Sequence, residues 1–231
     1  GRYSIVGMKP DLIWQCHGDT ARINRTARFD PAAFQPCAEA PLDSLRGLIG
    51  ESRIDMPAEL PAIAAGLFGY LGYDMIRLVE HLPNVNPDPI GLPDAVLMRP
   101  SVVAVLDGVK GEVTLVAPAW VATGLSARAA YAQAAERVMD SLRDLDRAPA
   151  TQRDLGEAAP VGEARSNFTH DGYKAAVEKA KDYIRAGDIF QVVPSQRWAQ
   201  RFELPPFALY RSLRRTNPSP FMFFFNFGGF Q

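Results

Sequence analysis

The chain has 231 residues and a formal net charge of -1, with 47% hydrophobic and 22% charged residues. This composition is typical of a globular protein, and the near-zero charge argues against a nucleic-acid surface, which needs a basic stripe. No run of about 18 apolar residues is present, so we expect no transmembrane helix. The two cysteines, Cys16 and Cys37, form no disulfide framework and are compatible with a reducing cytoplasm.

The N-terminal segment predicts two short strands and a helix. Residues 2–6 and 11–15 have strand composition and flank a turn signal at Lys9-Pro10. The more mixed stretch that follows contains a short helix at 44–49.

Three glycines spaced three residues apart mark the next apolar segment, 62–70. In a helix, Gly66, Gly69 and Gly72 would each cost about 1 kcal/mol relative to Ala. We therefore predict a buried strand that leads into a helix at 74–80. The spacing does not fit a dinucleotide-binding fingerprint, and close packing of backbone against a sheet explains these glycines better.

The middle of the chain predicts strands followed by a helix. Strands are expected at 95–97, 102–107 and 112–117, and the sequence Asp-Gly-Val-Lys-Gly at 107–111 is a hairpin signal. Ser126 is a suitable N-cap for a helix that runs to about Leu142. The apolar stripe of this helix consists of Ala127, Ala130, Tyr131, Ala134, Ala135, Val138 and Leu142.

Residues 143–165 are charged, aperiodic and contain Pro and Gly, which is typical of a surface linker. We therefore divide the chain into an N-terminal region at 1–142, this linker, and a C-terminal region at 166–231. Strands from both regions could belong to one sheet. The whole order of elements indicates an α+β fold with antiparallel sheets.

The C-terminal region alternates helix and strand. Thr169 is a suitable N-cap, and Gly187 stands where a left-handed helix C-cap belongs. A strand at 189–193, a helix at 207–215 and a final strand at 221–227 follow. The prolines of Asn217-Pro218-Ser219-Pro220 must end the second helix.

Two segments do not look like plain core, although the chain has no Cys/His cluster, no phosphate-binding loop and no convergent pair of carboxylates. In 187–196, Gln191 and Gln196 interrupt a predicted strand at opposite parities, so one of them faces the core side. From the pattern alone, a satisfied core or edge position is about as good an explanation as a ligand role. The rigid loop at 217–222 is explained equally well as the start of a strand or as a wall of an apolar pocket.

Four segments in order resemble the anthranilate synthase component I family of chorismate-utilising enzymes. They are Arg2 to Gly7, Gly66 to Asp74, Tyr173 to Gln196 and Asn217 to Phe223. The resemblance covers essentially the whole chain. It implies two packed antiparallel β-sheets with outer helices.

The resemblance also implies an activity. Members of the family convert chorismate and ammonia to anthranilate and pyruvate, with Mg²⁺ bound to the substrate carboxylate. The ammonia comes from glutamine through a separate amidotransferase subunit, component II. Tryptophan inhibits by feedback.

Site residues carry over from the resemblance position by position. The tryptophan-inhibitor site would include Arg2, Tyr3, Ser4, Asn217, Pro218, Ser219, Pro220, Phe221 and Met222. Phe221 stands where the family usually has Tyr, and the family's Leu-Leu-Glu-Ser stretch is absent, so we expect weak tryptophan binding. Gln191 matches a cleft position that is Lys in relatives that add water. We expect it to position a reactant and not to transfer protons.

The ends of the chain and the missing motifs predict a fragment. The sequence begins as if within a strand and stops after a strand-and-turn signal, so the sandwich is expected to be truncated. The family's acid/base His, substrate-binding Arg and Mg²⁺ glutamates all follow a Ser-Ser-Pro-Glu motif that these residues lack, so we expect the 231 residues to be inactive by themselves.

Three other interpretations remain open. One is component I of aminodeoxychorismate synthase, in the folate pathway. A second is a non-catalytic module that binds tryptophan or docks a partner, and the last is an unrelated α+β domain.

Overall fold

The computed structural model describes residues 2–83, 86–120, 124–147 and 162–231. The chain forms two compact units, Gly1–Ala148 with Phe225–Phe230, and Pro149–Phe224 with Gln231. Each unit is described by itself below.

A six-stranded antiparallel sheet organises the first unit. Its strands are β1 (Tyr3–His17), β2 (Thr20–Asn24), β3 (Gln35–Pro36), β4 (Phe68–Leu71), β5 (Ala95–Asp107) and β6 (Glu112–Val116). The order is β3-β2-β1-β5-β4, and β6 also pairs with β5. β4 pairs with the first residues of β5 and β6 with its last, so both lie along one edge of β5. The hairpin predicted at 107–111 is confirmed as the β5–β6 connection.

The first strand is longer than predicted, because the expected turn at Lys9-Pro10 is a bulge within β1. Lys9 has a positive φ of 49°, and the register against β5 shifts between Pro10 and Leu12. A bulge adds a residue to one strand without ending the ladder. Pairing with β5 on both sides of the bulge keeps the strand continuous, so the prediction of two strands was wrong.

The two faces of the sheet bury different clusters. Leu12, Trp14 and Cys16 alternate along β1 and pack against α1 (Pro41–Glu51), the helix predicted at 44–49. The Trp14 indole N–H donates to Ser44 Oγ at 3.0 Å, which satisfies the polar atom of a fully buried ring. Residues of opposite parity, such as Ile13, belong to a second cluster.

Two aromatic residues near the C-terminal end of the sequence pack against the second cluster. Phe227 and Phe230 pack edge-on against Tyr70, with ring centroids 5.7 and 6.4 Å away. Burial of Tyr70 raises the pKa of its phenol, and the hydroxyl donates to the Pro93 carbonyl at 2.6 Å. The segment Phe225–Phe230 therefore contributes to the core of the first unit, although it is far along the chain from the other residues of that unit.

The segment 62–80 is less regular than predicted. A 3-10 helix at Ala62–Ala64 precedes the short strand β4, and a second 3-10 helix occupies Tyr73–Leu78, where a helix was expected at 74–80. The close backbone packing expected of the glycines is confirmed at Gly72, where a Cβ would lie 2.7 Å from the Asp94 carbonyl oxygen.

The helix predicted after Ser126 is α2 (Ala127–Asp146), and the Ser126 hydroxyl accepts the Ala129 N–H at 3.2 Å. Its predicted apolar stripe is only partly inward. Ala130 and Ala134 are buried, whereas Tyr131 is 71% exposed. Small residues face the sheet because they let the helix approach it closely.

α2 continues past the predicted end at Leu142, so the first residues of the predicted linker are helical. Residues 148–161 of that linker lie outside the described residues. The division into regions 1–142, 143–165 and 166–231 stays a prediction.

The second unit contains two helices and one small sheet. α3 (His170–Ala186) begins at Thr169, whose hydroxyl accepts the Gly172 N–H at 3.1 Å, and ends at Gly187 with φ 83°. Both predicted caps are confirmed. α4 (Pro206–Thr216) ends before Asn217, as the prolines predict. β7 (Arg165–Ser166) and β8 (Trp198–Ala199) form a two-stranded antiparallel sheet.

Two predicted strands are not strands. Within the part of the chain that the structure describes, residues 189–193 and 221–227 are irregular and belong to neither sheet. Strand composition expresses a preference for a pleated, half-buried surface, and a strand forms only where a neighbouring segment accepts and donates its hydrogen bonds. The α+β composition with antiparallel sheets is confirmed.

Candidate functional site

The N-terminal part of the predicted inhibitor site lies at the hairpin end of the large sheet. Tyr3 pairs with Asp107 and Ser4 with Leu106 across β1 and β5. The Arg2 guanidinium donates from Nε to both Asp107 oxygens at 3.0 Å and from Nη2 to Oδ2 at 2.6 Å. It also lies over the Tyr3 ring, 4.9 Å from its centroid. Two neighbours therefore hold Arg2 in one orientation.

Asp107 is the centre of this arrangement. Besides Arg2, its Oδ1 accepts the N–H groups of Val109 at 2.9 Å and Lys110 at 3.2 Å. The hydrogen bonds from Arg2 hold the pKa of the Asp107 carboxyl well below its usual range, and those from Lys110 and Val109 lower it further, against the opposing effect of burial. The same contact with Asp107 raises the pKa of Arg2. The pair is thus fully charged at neutral pH.

A small cavity of about 120 Å³ opens beside this pair. Its wall contains cations from Arg2 and Lys110, acids from Glu59, Asp107 and Glu112, and uncharged surface from Tyr3, Pro61, Val105 and Thr114. The Arg2 side chain is 45% exposed and that of Asp107 only 11%. The cation is therefore accessible while its carboxylate partner is largely covered.

The C-terminal part of the predicted inhibitor site is a loop of the second unit. Asn217 closes α4, donating its N–H to the Leu213 carbonyl at 2.9 Å. After the loop, the Phe224 ring packs 5.3 Å from Phe207 and 5.9 Å from Tyr210. Both ends of the loop are thus anchored on α4. Its tip is open, since Phe221 is 90% exposed.

Ser219 and Pro220 of this loop are exposed, and Met222 is partly buried. Together with Asn217, Pro218 and Phe221 these residues belong to the second unit, whereas Arg2, Tyr3 and Ser4 belong to the first. Their joint role in one inhibitor site stays a prediction.

Gln191 is exposed and lies in an irregular segment after the Gly187 cap. The other glutamine of the segment, Gln196, donates its Nε2 to Ser166 Oγ at 2.6 Å and so has a structural partner. The sequence left open whether these glutamines occupy satisfied structural positions or bind a ligand, and the hydrogen bond to Ser166 gives Gln196 a structural position.

Asp107 was missed as a candidate site residue by reasoning from sequence. The Asp-Gly pair at 107–108 was interpreted only as a turn signal, because Arg2 is 105 positions away along the chain. Antiparallel pairing of β1 with β5 makes them neighbours.

Among the described residues, no group of three or more His, Cys, Asp or Glu side chains is close enough to hold a metal ion. Within the same ranges, every helix is too short or too polar to cross a bilayer.

The fold and a family model together define the class of protein to which this chain belongs. An antiparallel sheet with helices is the fold here, and residues 10–231 match the model of the family described as chorismate binding enzyme. The chain belongs to that family.

Particular relatives are more specific. The chain is 85% identical over 231 residues to "Anthranilate synthase component 1" of Cereibacter sphaeroides, covering 100% of this chain and 46% of the relative. It is 41% identical to "Anthranilate synthase component 1" of Thermus thermophilus, over 98% of this chain and 45% of the relative. The crystal structure of anthranilate synthase component I from Streptococcus pneumoniae superposes with a TM-score of 0.79 at 28% identity, over 99% of this chain and 48% of that one. The chain spans about half the length of the curated relatives it matches, and the family resemblance seen in the sequence is confirmed.

Proposed function

We propose that this chain acts as part of component 1 of anthranilate synthase, a lyase of tryptophan biosynthesis. The observation that carries the proposal is 85% identity over the whole chain to a protein of that name. The structural match to a second protein of that name, at a TM-score of 0.79, supports it independently.

In the proposed reaction, chorismate and ammonia give anthranilate, pyruvate and water. Gln191 is the residue of this chain that we assign to the substrate cleft. Its amide can donate and accept hydrogen bonds but does not titrate, so it can orient ammonia or the ring without removing a proton. Ammonia is already a nucleophile and needs no base to activate it. The exposure of Gln191 supports this assignment.

The complete enzyme would require Mg²⁺, which would neutralise the substrate carboxylate. The described residues contain no cluster of three or more His, Cys, Asp or Glu side chains that could hold a metal ion, so we assign no step of the reaction to a metal bound by these residues. For the same reason, and because the family's catalytic motifs are not in this sequence, the 231 residues alone should not turn over chorismate.

Feedback inhibition by tryptophan is the proposed regulation. The inhibitor site would combine Arg2, Tyr3 and Ser4 with the loop Asn217, Pro218, Ser219, Pro220, Phe221 and Met222. A guanidinium held over an aromatic ring and an exposed Pro/Phe loop are suited to the carboxylate and the indole of tryptophan, respectively. Ammonia would be supplied from glutamine by an amidotransferase subunit, component II, in the cytoplasm.

The test is the product formed by the full-length product of the gene with chorismate, Mg²⁺ and ammonium. Anthranilate, identified by its fluorescence and by mass spectrometry, is expected together with pyruvate in equal amounts. Formation of aminodeoxychorismate instead, or no consumption of chorismate, would contradict the proposal. The 231-residue chain in parallel should give no anthranilate, and turnover by it alone would contradict the assignment of catalysis to other residues.

A further inference from the structure

We propose that Asp107 is the positioning residue of the inhibitor site, because it fixes the guanidinium of Arg2 and the turn that carries Lys110. The inference rests on the proposed regulation by tryptophan and adds a residue to it. Asp107 itself is largely covered, so it acts through Arg2 and not by touching the inhibitor.

Asp107 fixes the orientation of the Arg2 side chain. A free arginine side chain loses rotamer entropy when a ligand immobilises it. Here the contacts of Asp107 with Nε and Nη2 hold the side chain before any ligand binds. Those contacts do not involve Nη1, which keeps N–H donors for a second carboxylate.

Asp107 also orders the turn between β5 and β6. Asp107 accepts the backbone N–H groups of Val109 and Lys110, and Gly111 donates its N–H to the Asp107 carbonyl at 2.8 Å. The same carboxylate thus orders both segments that place cations on the 120 Å³ cavity. The cavity wall also contains Glu59 and Glu112, and Lys110 Nζ lies 3.9 Å from Glu112 Oε2, so Arg2 Nη1 is the donor that we assign to the amino acid carboxylate.

A matched control exists in the same pair of strands. Arg99 donates from Nε and Nη2 to the two oxygens of Asp11, both at 2.9 Å, which is the same bidentate arrangement between β5 and β1. Asp11 lies outside the segments assigned to the inhibitor. Asp11→Asn therefore removes an equivalent ion pair without touching the proposed site.

The experiment measures tryptophan inhibition of the full-length enzyme in four forms: wild type, Asp107→Asn, Arg2→Lys and the double variant. We expect Asp107→Asn to raise the tryptophan concentration needed for inhibition about tenfold, because the charge-assisted contact that holds Arg2 is lost. KM for chorismate and kcat without tryptophan should stay unchanged. Arg2→Lys should have a similar effect, and the double variant should be no worse than either single one, because both remove the same coupling. Asp11→Asn should leave inhibition unchanged.

Equal inhibition of wild type and Asp107→Asn would overturn the inference while leaving the proposed function in place. Additive losses in the double variant would also overturn it, since Asp107 would then act independently of Arg2. A wild-type enzyme that makes anthranilate but ignores tryptophan would overturn both the inhibitor site and this inference.

A second measurement tests positioning on the 231-residue chain without any ligand. The NMR signal of Arg2 Nε–H, assigned with Arg2→Lys, should be protected from solvent exchange in the wild type and in Asp11→Asn. Protection should be lost in Asp107→Asn. Retained protection in Asp107→Asn would show that another group holds Arg2.

Discussion

Gly69 in β4 lies so close to Val96 in β5 that any side chain would collide with the backbone. A Cβ built on Gly69 would come within 2.8 Å of the Val96 carbonyl carbon and closer still to its oxygen. The two strands pair here, Gly69 with Leu97, so the contact joins the short strand to the centre of the sheet.

Gly69→Ala should therefore lower the free energy of unfolding by about 3 kcal/mol or more, or prevent folding, because backbone atoms cannot move aside within a ladder. Urea unfolding followed by circular dichroism would measure the change. Gly47→Ala is the control: Gly47 lies in α1 with open space around its Cα. That substitution should stabilise the protein by about 0.5–1 kcal/mol, and equal effects of the two variants would contradict the assigned packing.

Loss of the Thr169 hydroxyl should weaken the start of α3. Its Oγ accepts the Gly172 N–H, one of the helix donors that have no partner within the helix. Thr169→Ala is expected to lower the free energy of unfolding of the second unit by about 1 kcal/mol. Thr169→Ser keeps the acceptor and should be close to wild type, so a loss with serine as large as with alanine would show that the hydroxyl is not the cause.

The stability of the first unit should depend on the charge of Asp107 in acid. Since its pKa is lower in the folded than in the unfolded chain, the stabilisation is fully present above the unfolded value of about 3.9 and is lost as the pH falls through the folded value. Asp107→Asn should be less stable than wild type at pH 7, and the difference should shrink as the pH is lowered below about 4. Thermal unfolding at pH 7 and pH 3 would measure it, and a difference that grows in acid would be the contrary result.

The two thiols should react at very different rates. Cys16 is fully buried, and burial, with smaller contributions from Asp94 and Asp19, raises its pKa to about 11. Only a thiolate attacks iodoacetamide, so Cys37 should be modified first and Cys16 only after unfolding. Mass spectrometry of peptides from native and urea-treated protein would show this.

The same two cysteines should not form a disulfide with each other. Cys16 pairs with Ala21 on one side, and the N–H of Cys37 donates to Ala21 on the other. They are thus separated by two strand spacings, about 9–10 Å, beyond the reach of a disulfide. Modification of Cys16 in the native state as fast as that of Cys37 would contradict the burial of Cys16, and a peptide pair linked by a Cys16–Cys37 disulfide would contradict this separation.

Gln191→Ala in the full-length protein should lower kcat for anthranilate formation about tenfold or more, because a positioning contact is lost. The pH dependence of kcat should keep its shape, since an amide does not titrate. The assay is anthranilate fluorescence with saturating ammonium and chorismate. Gln196→Ala, which removes a hydrogen bond to Ser166, is a control for structural disturbance nearby, and equal activity of Gln191→Ala and wild type would remove Gln191 from the cleft.

Features that depend on neighbouring residues were predicted correctly, whereas some strands that depend on distant segments were not. The caps at Ser126, Thr169 and Gly187 were predicted correctly. So was the hairpin at 107–111. Each depends on groups within a few residues of one another, which a sequence pattern shows directly. The strands expected at 189–193 and 221–227 were wrong for the opposite reason, since a strand needs a partner that composition does not supply.

By itself, the sequence determined the helix caps at Ser126, Thr169 and Gly187, the α+β class and, through four ordered motifs, the family. Only the tertiary structure decided that Lys9 lies within one long strand, just before the register shift between Pro10 and Leu12, and that Arg2 meets Asp107. The physical reason is that backbone propensity acts over a few residues, whereas strand pairing and ion pairs join groups that are distant along the chain and adjacent only after the sheet has formed.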